Sequence, residues 1–454
     1  MTGSPIPPPS YRVVVGRLRT MDPERPTAEA MAVRDDTIVA VGTRAEVLAA
    51  CPEGTPVEDL GETCVLPGFI DTHLHLLRGG LKVIHDLGPG PHDADTVVAS
   101  MRELGFEAEW GEEPPTLEQR VEGMRVFQPA LHELGITAVI DPAATRDELA
   151  GYQECWRRDL LTLRVVAMPY VDVGQPEGSG VDDAIVRLEN VGLGTGFGDD
   201  RLRVGGIKVY LDGEGMKSQA LLRDPWPDTG EPGVQRIPTE AFQRLLDHCA
   251  RSGWTVGVHA VGGLAVERLL ECYAAADRVA SIRGRQWQII HGYLETAAAS
   301  MRRAAELDVV MAAQPSIMLR NGAALAELLG PWAERMCALR SWLDAGVRVA
   351  LGSDGPYFPF DPRELMWSAV TRRVRDREEP LDPAEAITVE EALAAYTREA
   401  AVAAFAEGRY GVLAPGLLAD WVALDRDPLT IDPMELRDLR VLRTVVGGET
   451  VWSA

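Results

Sequence analysis

Through the middle of the chain, short apolar runs alternate with longer stretches whose apolar positions recur at helical spacing. The runs are 69–75, 136–140, 163–170, 204–211, 255–259, 287–291, 309–314 and 347–351. Each has strand length, and turn or helix signals follow. Residues 239–251 illustrate the intervening pattern. Phe242, Leu245, Leu246 and Cys249 share one helical face, and Gly253 supplies a stop. Strand–helix alternation repeated about eight times predicts an α/β chain with a (β/α)8 barrel over residues 67–410. A doubly wound open sheet is the alternative, disfavoured because no Gly-x-Gly-x-x-Gly follows an early strand.

The ends have a different texture. Residues 11–19 and 28–41 carry β-type runs separated by Asp22-Pro23 and Asp35-Asp36, and a further run ends at Leu66. Residues 421–424 and 441–451 repeat this texture, which predicts one small β-sandwich domain built from 11–66 plus 411–454. The Pro-rich residues 1–10 are expected to form a disordered lead-in. Residues 77–115 are rich in Gly, Pro and acid and read as irregular. Following the first barrel strand, they would cover the mouth as a lid or specificity loop, or else form a solvated surface loop.

Composition narrows the function. With 454 residues and an apolar fraction of 46%, the chain can bury a large core. A formal charge of −24 disfavours nucleic acid and anionic membranes as partners. No 18-residue uncharged apolar run is present, so no membrane span is expected. The N-terminal residues lack a basic-then-apolar signal pattern. Six cysteines without Cys-x-x-Cys spacing read as buried thiols of a cytoplasmic protein.

Chemistry enters when polar residues are placed on the strands. Positions i and i+2 of a strand share a face, so His73 and His75 would aim two imidazoles at one point. His259 and His291 end the fifth and sixth runs, and Asp354 follows the eighth. The C-terminal strand ends of a barrel converge on one mouth, so these five residues make a candidate metal site. Lys208 lies inside the fourth run, where a charged amine is costly. A lowered pKa would leave an amine able to take up carbon dioxide, and the resulting carbamate could bridge two divalent metals. Pairing with Asp212 or another acid is the alternative for Lys208. Tyr170, Tyr210, Trp226, Arg320 and Tyr357 are candidate substrate contacts at strand ends and following loops. His85 and His92 read as solvated, and His132 and His248 as structural. No Gly-x-Ser-x-Gly is present.

The stretches "LPGFIDTHLHL", "GGIKVYLDG", "VGVHAVG", "QIIHGYL", "VALGSDGPYFPFDP", "AYTREAA" and "GVLAPGLLADWVALDRDP" resemble the amidohydrolase superfamily, and within it the YtcJ-like metal-dependent hydrolases. The resemblance covers nearly the whole chain. It implies one or two divalent metals, zinc for choice. His73, His75 and Asp354 would hold the deeper ion, and His259 and His291 the second, with carbamylated Lys208 bridging. It also implies a metal-activated hydroxide that cleaves a C–N (amide-like) bond of a small molecule. Asp354 would shuttle the proton, and His259 or His291 would serve as an acid or base if a single ion is bound. The same site also suits a lyase, decarboxylase, isomerase or lactone hydrolase. A non-catalytic binding protein is the remaining alternative; the partner expected is a small-molecule substrate, with a homodimer one assembly the sequence leaves open. Two departures bear on the substrate. The region between Leu77 and Leu134 is short for the group, and "DGEGMKSQALL" puts Glu214 and Lys217 near the mouth.

Overall fold

In chain order the strands are β1 (Tyr11–Arg19), β2 (Thr27–Arg34), β3 (Thr37–Gly42), β4 (Val57–Pro67), β5 (Phe69–Asp71), β6 (Ile136–Ala144), β7 (Arg164–Pro169), β8 (Leu202–Val204), β9 (Ile207–Tyr210), β10 (Val256–Ala260), β11 (Gln288–His291), β12 (Val310–Ala313), β13 (Arg348–Leu351), β14 (Trp421–Leu424), β15 (Val441–Val446) and β16 (Glu449–Ser453). They come from a computed structural model describing residues 10–102, 114–174 and 180–454. The expected lead-in lies outside the described residues except for Ser10, whose amide donates to Asp35 Oδ1 at 2.9 Å.

Both ends of the chain meet in one seven-stranded sheet, ordered β16-β15-β14-β4-β1-β2-β3. Its seam is the antiparallel pairing of β4 with β14, which sets Pro67 opposite Trp421 and Cys64 opposite Leu424. Alternation along β4 divides its side chains between two faces. Val65 joins Val14, Trp421 and Ala423 in a core of the sheet's own. Cys64 and Leu66 join Val422, Leu424 and Phe69 in the main core. The terminal sheet is thus packed directly against the segment that opens the next layer.

The middle forms two parallel sheets, β5-β6-β7-β8 and β13-β12-β11-β10-β9. Helices follow the strands, and Thr239–Ser252 ends at Gly253 with φ +84°, the left-handed stop expected from the sequence. Hydrogen bonds join the two sheets at both seams. On one side the Asp354 amide donates to His73 O at 2.6 Å and the His75 amide to Gly355 O at 2.7 Å. On the other, the Val171 amide donates to Lys208 O at 3.0 Å.

Three expectations about elements change. The run at 204–211 is two strands, because Gly205 and Gly206 carry the chain across between sheets. A Cβ on Gly206 would lie 2.8 Å from Thr255 O, so only glycine permits this approach. The first run stops as a strand at Asp71, so His73 and His75 lie beyond it and do not converge by strand alternation. Residues 77–115 are not irregular throughout, since Leu76–Asp86 and Ala94–Arg102 are helices. Leu76, Leu77, Leu81 and Val83 are buried, and Gly79 and Gly80 let the first helix press against Leu117–Glu133. The paired glycines that read as loop signals are instead the contact points between helices.

Candidate metal centre

The chain supplies the candidate ligands at or just beyond strand ends. His259 lies in β10, His291 ends β11, Lys208 lies in β9, and His73, His75 and Asp354 follow β5 and β13. His291 and Asp354 adopt left-handed backbone, φ +81° and +57°. Non-glycine residues rarely sit there, and such strain persists only where the surroundings enforce it. For Asp354 the enforcing bond is its amide to His73 O.

Asp354 Oδ1 lies 3.4 Å from His73 Nε2 and 3.3 Å from His75 Nε2. Ligand atoms of these three residues all lie within 4.8 Å of one another. The His291 ring is 5.0 Å from that of His73 and 4.5 Å from that of His259, centroid to centroid. Lys208 is fully buried, with Nζ 5.1 Å from the Tyr210 ring centre. The structure therefore brings all six together.

Their partners show what they can bind. His73 Nδ1, His75 Nδ1, His259 Nδ1 and Lys208 Nζ are buried without a hydrogen-bond partner. Native interiors satisfy nearly all such atoms, so four in one cluster require an explanation. Asp212, the alternative partner for Lys208, is committed elsewhere. Its carboxylate accepts the amides of Leu221, Val261 and Gly262 at 2.9–3.2 Å. A divalent cation held by the His73 and His75 Nε2 atoms and the Asp354 carboxylate fits this cluster.

Electrostatics agree. Burial pushes Lys208 down to about 7 and His73 down to about 3. Burial also takes His259 and His291 well below the ordinary imidazole value, helped by the Lys208 charge. Neutral imidazole is the metal-binding form. Burial opposes the Asp354 charge, but His73 and the hydrogen bonds of His73 and His75 hold its carboxyl well below the usual range. His75 moves the other way. Burial and Arg78 lower it, and Asp141 and Asp354 outweigh them.

A second ring of residues orients the first. His291 Nδ1 bonds Gln314 Oε1 at 2.7 Å, leaving Nε2 for the site. His75 Nδ1 lies 3.6 Å from Asp141 Oδ1, and His259 Nε2 lies 3.6 Å from Asp212 Oδ1. Asp71 Oδ1 accepts the His73 amide at 3.0 Å. Such partners fix imidazole orientation at metal sites. The sequence reading missed these orienting roles, although the signal was present. Asp141, Asp212 and Gln314 each end or follow an apolar run, by the rule that selected the histidines.

The candidate ligands other than Lys208 line a cavity of about 200 Å³, together with Arg78, Tyr210, Glu214, Asn321 and Tyr357. Of the proposed substrate contacts, Tyr210 and Tyr357 reach it, the latter 5.4 Å from the His75 ring. Tyr170 stands behind Tyr210, 5.6 Å between rings, with its hydroxyl on Asp172. Trp226 is corrected, since it is fully buried and its indole N–H donates to Ala220 O at 2.8 Å. Arg320 does not itself line the cavity but donates to the backbone oxygen of Tyr357, which does, and the next residue, Asn321, lines it too. Arg78, inside the stretch expected to be irregular, was also missed. Lys217 stays near Glu214, 3.4 Å away.

With the geometry in view, comparisons identify relatives. A family described as "Amidohydrolase family" matches residues 108–452. The N-substituted formamide deformylase of Arthrobacter pascens is 26% identical over 96% of this chain and 97% of its own length. The putative amidohydrolase YtcJ of Bacillus subtilis (strain 168) is 31% identical over 55% of this chain and 47% of its own. An uncharacterized metal-dependent hydrolase from Pyrococcus horikoshii OT3 superposes with a TM-score of 0.77 at 21% identity, covering 93% of this chain and 99% of that one.

Proposed function

Because this chain belongs to the amidohydrolase family, in its YtcJ-like group, we propose that it is a metal-dependent hydrolase of a carbon–nitrogen bond in an amide-like small molecule. The carrying observation is the convergence of His73, His75, His259, His291, Lys208 and Asp354, with the His73 and His75 Nε2 atoms 3.4 and 3.3 Å from one Asp354 oxygen. The formamide-acting relative, aligned along almost its whole length, supports the bond type.

We read the two parallel sheets as one closed (β/α)8 barrel, on the strength of the hydrogen bonds across both seams; the chain termini form a single seven-stranded sheet beside it and not the expected two-sheet sandwich. His73, His75 and Asp354 would hold one zinc-class ion, and His259 and His291 a second. Carbamylated Lys208 would bridge them. Such ions supply an acidified water and a polarised carbonyl.

The protein's own groups do the remaining work. Asp354 is held as a carboxylate beside two imidazole nitrogens, so it can take a proton from the attacking water and pass it to the leaving nitrogen. Gln314 fixes the His291 ring so that Nε2 faces inward. Tyr357 and Tyr210 wall the cavity and restrict water around the reacting bond. Free cysteines, five of them buried, fit a reducing cytoplasmic setting.

Metal analysis of protein purified from metal-replete cells tests this together with turnover of N-formyl, N-acyl and cyclic amides. About two zinc-class ions per chain and chelator-sensitive amide cleavage are expected. Metal-free protein from such cells would overturn the proposal.

A further inference from the structure

Arg78 is a cation built into the cavity wall, three residues beyond His75. One edge of its guanidinium is clamped. Nε donates to Glu148 Oε1 at 2.8 Å, and the amino nitrogen Nη2 donates to Ala143 O at 3.0 Å and to Glu148 Oε2 at 3.3 Å. Glu148 is itself fixed, because it closes a capping box with Thr145 at the start of helix Arg146–Arg157. The clamp takes one side of a planar fork and leaves the other amino nitrogen, Nη1. Among the described residues Nη1 donates to no carbonyl or carboxylate. The Arg78 side chain keeps 23% of its surface exposed while lining the cavity, so its charge is not closed off from a ligand there.

Tyr357 stands beside that remaining end. It lies three residues beyond Asp354, its ring centre is 5.4 Å from that of His75, and Arg320 holds its backbone oxygen. Burial pushes its phenol up, and the Arg78 guanidinium against it pulls the other way. A guanidinium has donors and no acceptor, so the Tyr357 oxygen can only accept from it, and the hydroxyl proton points elsewhere. Among the described residues no acceptor takes that proton. Neither Nη1 nor the Tyr357 hydroxyl belongs to the polar atoms sealed in the interior without a partner. Two donors, one of them charged, thus meet at one stretch of the cavity wall. Glu214 belongs to a different stretch, where Gly215 packs on Tyr293, and it has Lys217 at 3.4 Å.

We propose that Arg78 and Tyr357 anchor a carboxylate of the substrate, away from the bond being cleaved, so that the substrate is an amide that also carries an acid, such as an N-acyl amino acid. A carboxylate has lone pairs for both donors, and a bond from a charged donor is the stronger kind. Glu148 holds the fork in place before the ligand arrives, so little side-chain freedom is lost on binding. Divalent ions at the histidine cluster would add positive charge to the same cavity and would also favour an anion, so the test must separate the two. The anchor rests on the hydrolase reading for its meaning in catalysis, but carboxylate binding at Arg78 is a property of its own.

The test compares N-acetylglycine, N-acetyl-β-alanine and N-acetyl-γ-aminobutyrate with their terminal carboxamides, each pair close in shape and different in charge. The metal-loaded full chain is used, with calorimetry for probes that are not turned over and kcat and KM for those that are. In at least one pair the acid is expected to bind about tenfold more tightly than its carboxamide. Arg78→Lys keeps a charge for Glu148 but loses the second amino nitrogen, and Tyr357→Phe removes only a hydroxyl. Each variant, at the parent's metal content, should lose most of that preference, and for a cleaved acid should raise KM more than it lowers kcat. No preference for any acid, or no binding of any probe, would overturn the proposal. So would a preference kept in either variant, which would assign the carboxylate to the ions instead. Acid selectivity that is lost in both variants, in a chain that cleaves no amide, would refute the hydrolase reading and leave the anchor standing. Amide cleavage without acid selectivity would do the reverse.

Discussion

The Ser353 amide donates to Asp71 Oδ1 at 3.0 Å, across 282 residues of chain. The same oxygen accepts the His73 amide at 3.0 Å. One buried carboxyl oxygen thereby joins the loop carrying His73 and His75 to the loop carrying Asp354. A Cβ on Gly352 would stand 2.6 Å from the His73 nitrogen, so the two loops approach as closely as glycine allows.

Removing that oxygen should separate the loops. Asp71→Ala leaves two buried amides unpaired, each worth about 1–3 kcal/mol. Urea unfolding should register the loss, and kcat/KM should fall about 100-fold as ligand positions relax. Asp71→Asn keeps an acceptor oxygen and should retain most of both. An Asp71→Ala protein as stable and active as the parent would show that the clamp does not position the site.

Lys208 makes a chemical prediction. Its buried amine, lowered to about 7, is neutral in a substantial share of molecules near pH 7, against almost none for an ordinary lysine. A neutral amine adds to carbon dioxide and releases one proton, leaving an N-carboxylate. Labelling with 13C-bicarbonate during metal reconstitution should give one carbamate resonance in the parent and none in Lys208→Met. Activity in that variant should drop by about three orders of magnitude or more. Two bound metals and full activity without a carbamate signal would remove Lys208 from the bridge.

His132 predicts a pH effect on stability remote from the site. It is buried in helix Leu117–Glu133, with Nδ1 at 3.0 Å from Ile136 O and Nε2 at 2.8 Å from Thr162 Oγ1. Burial, offset in part by the Ile136 carbonyl, pushes it from 6.5 down to about 4. The unfolded chain therefore takes up the proton first. The stabilisation is complete above pH 6.5 and is lost as pH falls toward 4, by about 3 kcal/mol in all. Denaturation across this window should show the slope in the parent, and a His132→Gln variant should lack that part of it.

Gly80 tests the helix pair that the sequence concealed. An added Cβ would lie 2.4 Å from Gly123 O, a backbone atom that cannot swing aside. Gly80→Ala should cost about 1–3 kcal/mol by overpacking despite its better helix propensity. Ala substituted at Asp86 makes the control on the same helix, since its carboxylate pairs only with the helix's own Lys82 and His85 and meets no backbone of Leu117–Glu133. A stabilised Gly80→Ala would mean the helices are not pressed together there.

What the sequence determined by itself was local and periodic. Apolar runs of strand length marked the parallel strands, because a strand buried on both faces must be apolar throughout. Polar residues ending, inside or just after those runs marked His259 and His291, Lys208, and Asp354, because a polar group there is costly unless it has a task. Tertiary structure decided what depends on distant partners. Asp71 ends β5 and turns His73 and His75 inward with the help of a loop 280 residues away. Gly79 and Gly80 look like loop residues until Phe127 and Gly123 are seen against them. Arg320 and Asn321 are one position apart and both polar, and only the packing of their helix makes the second a cavity-lining residue. Period and composition are carried by neighbours along the chain, whereas side-chain direction at a site is set by contacts between residues the chain holds far apart.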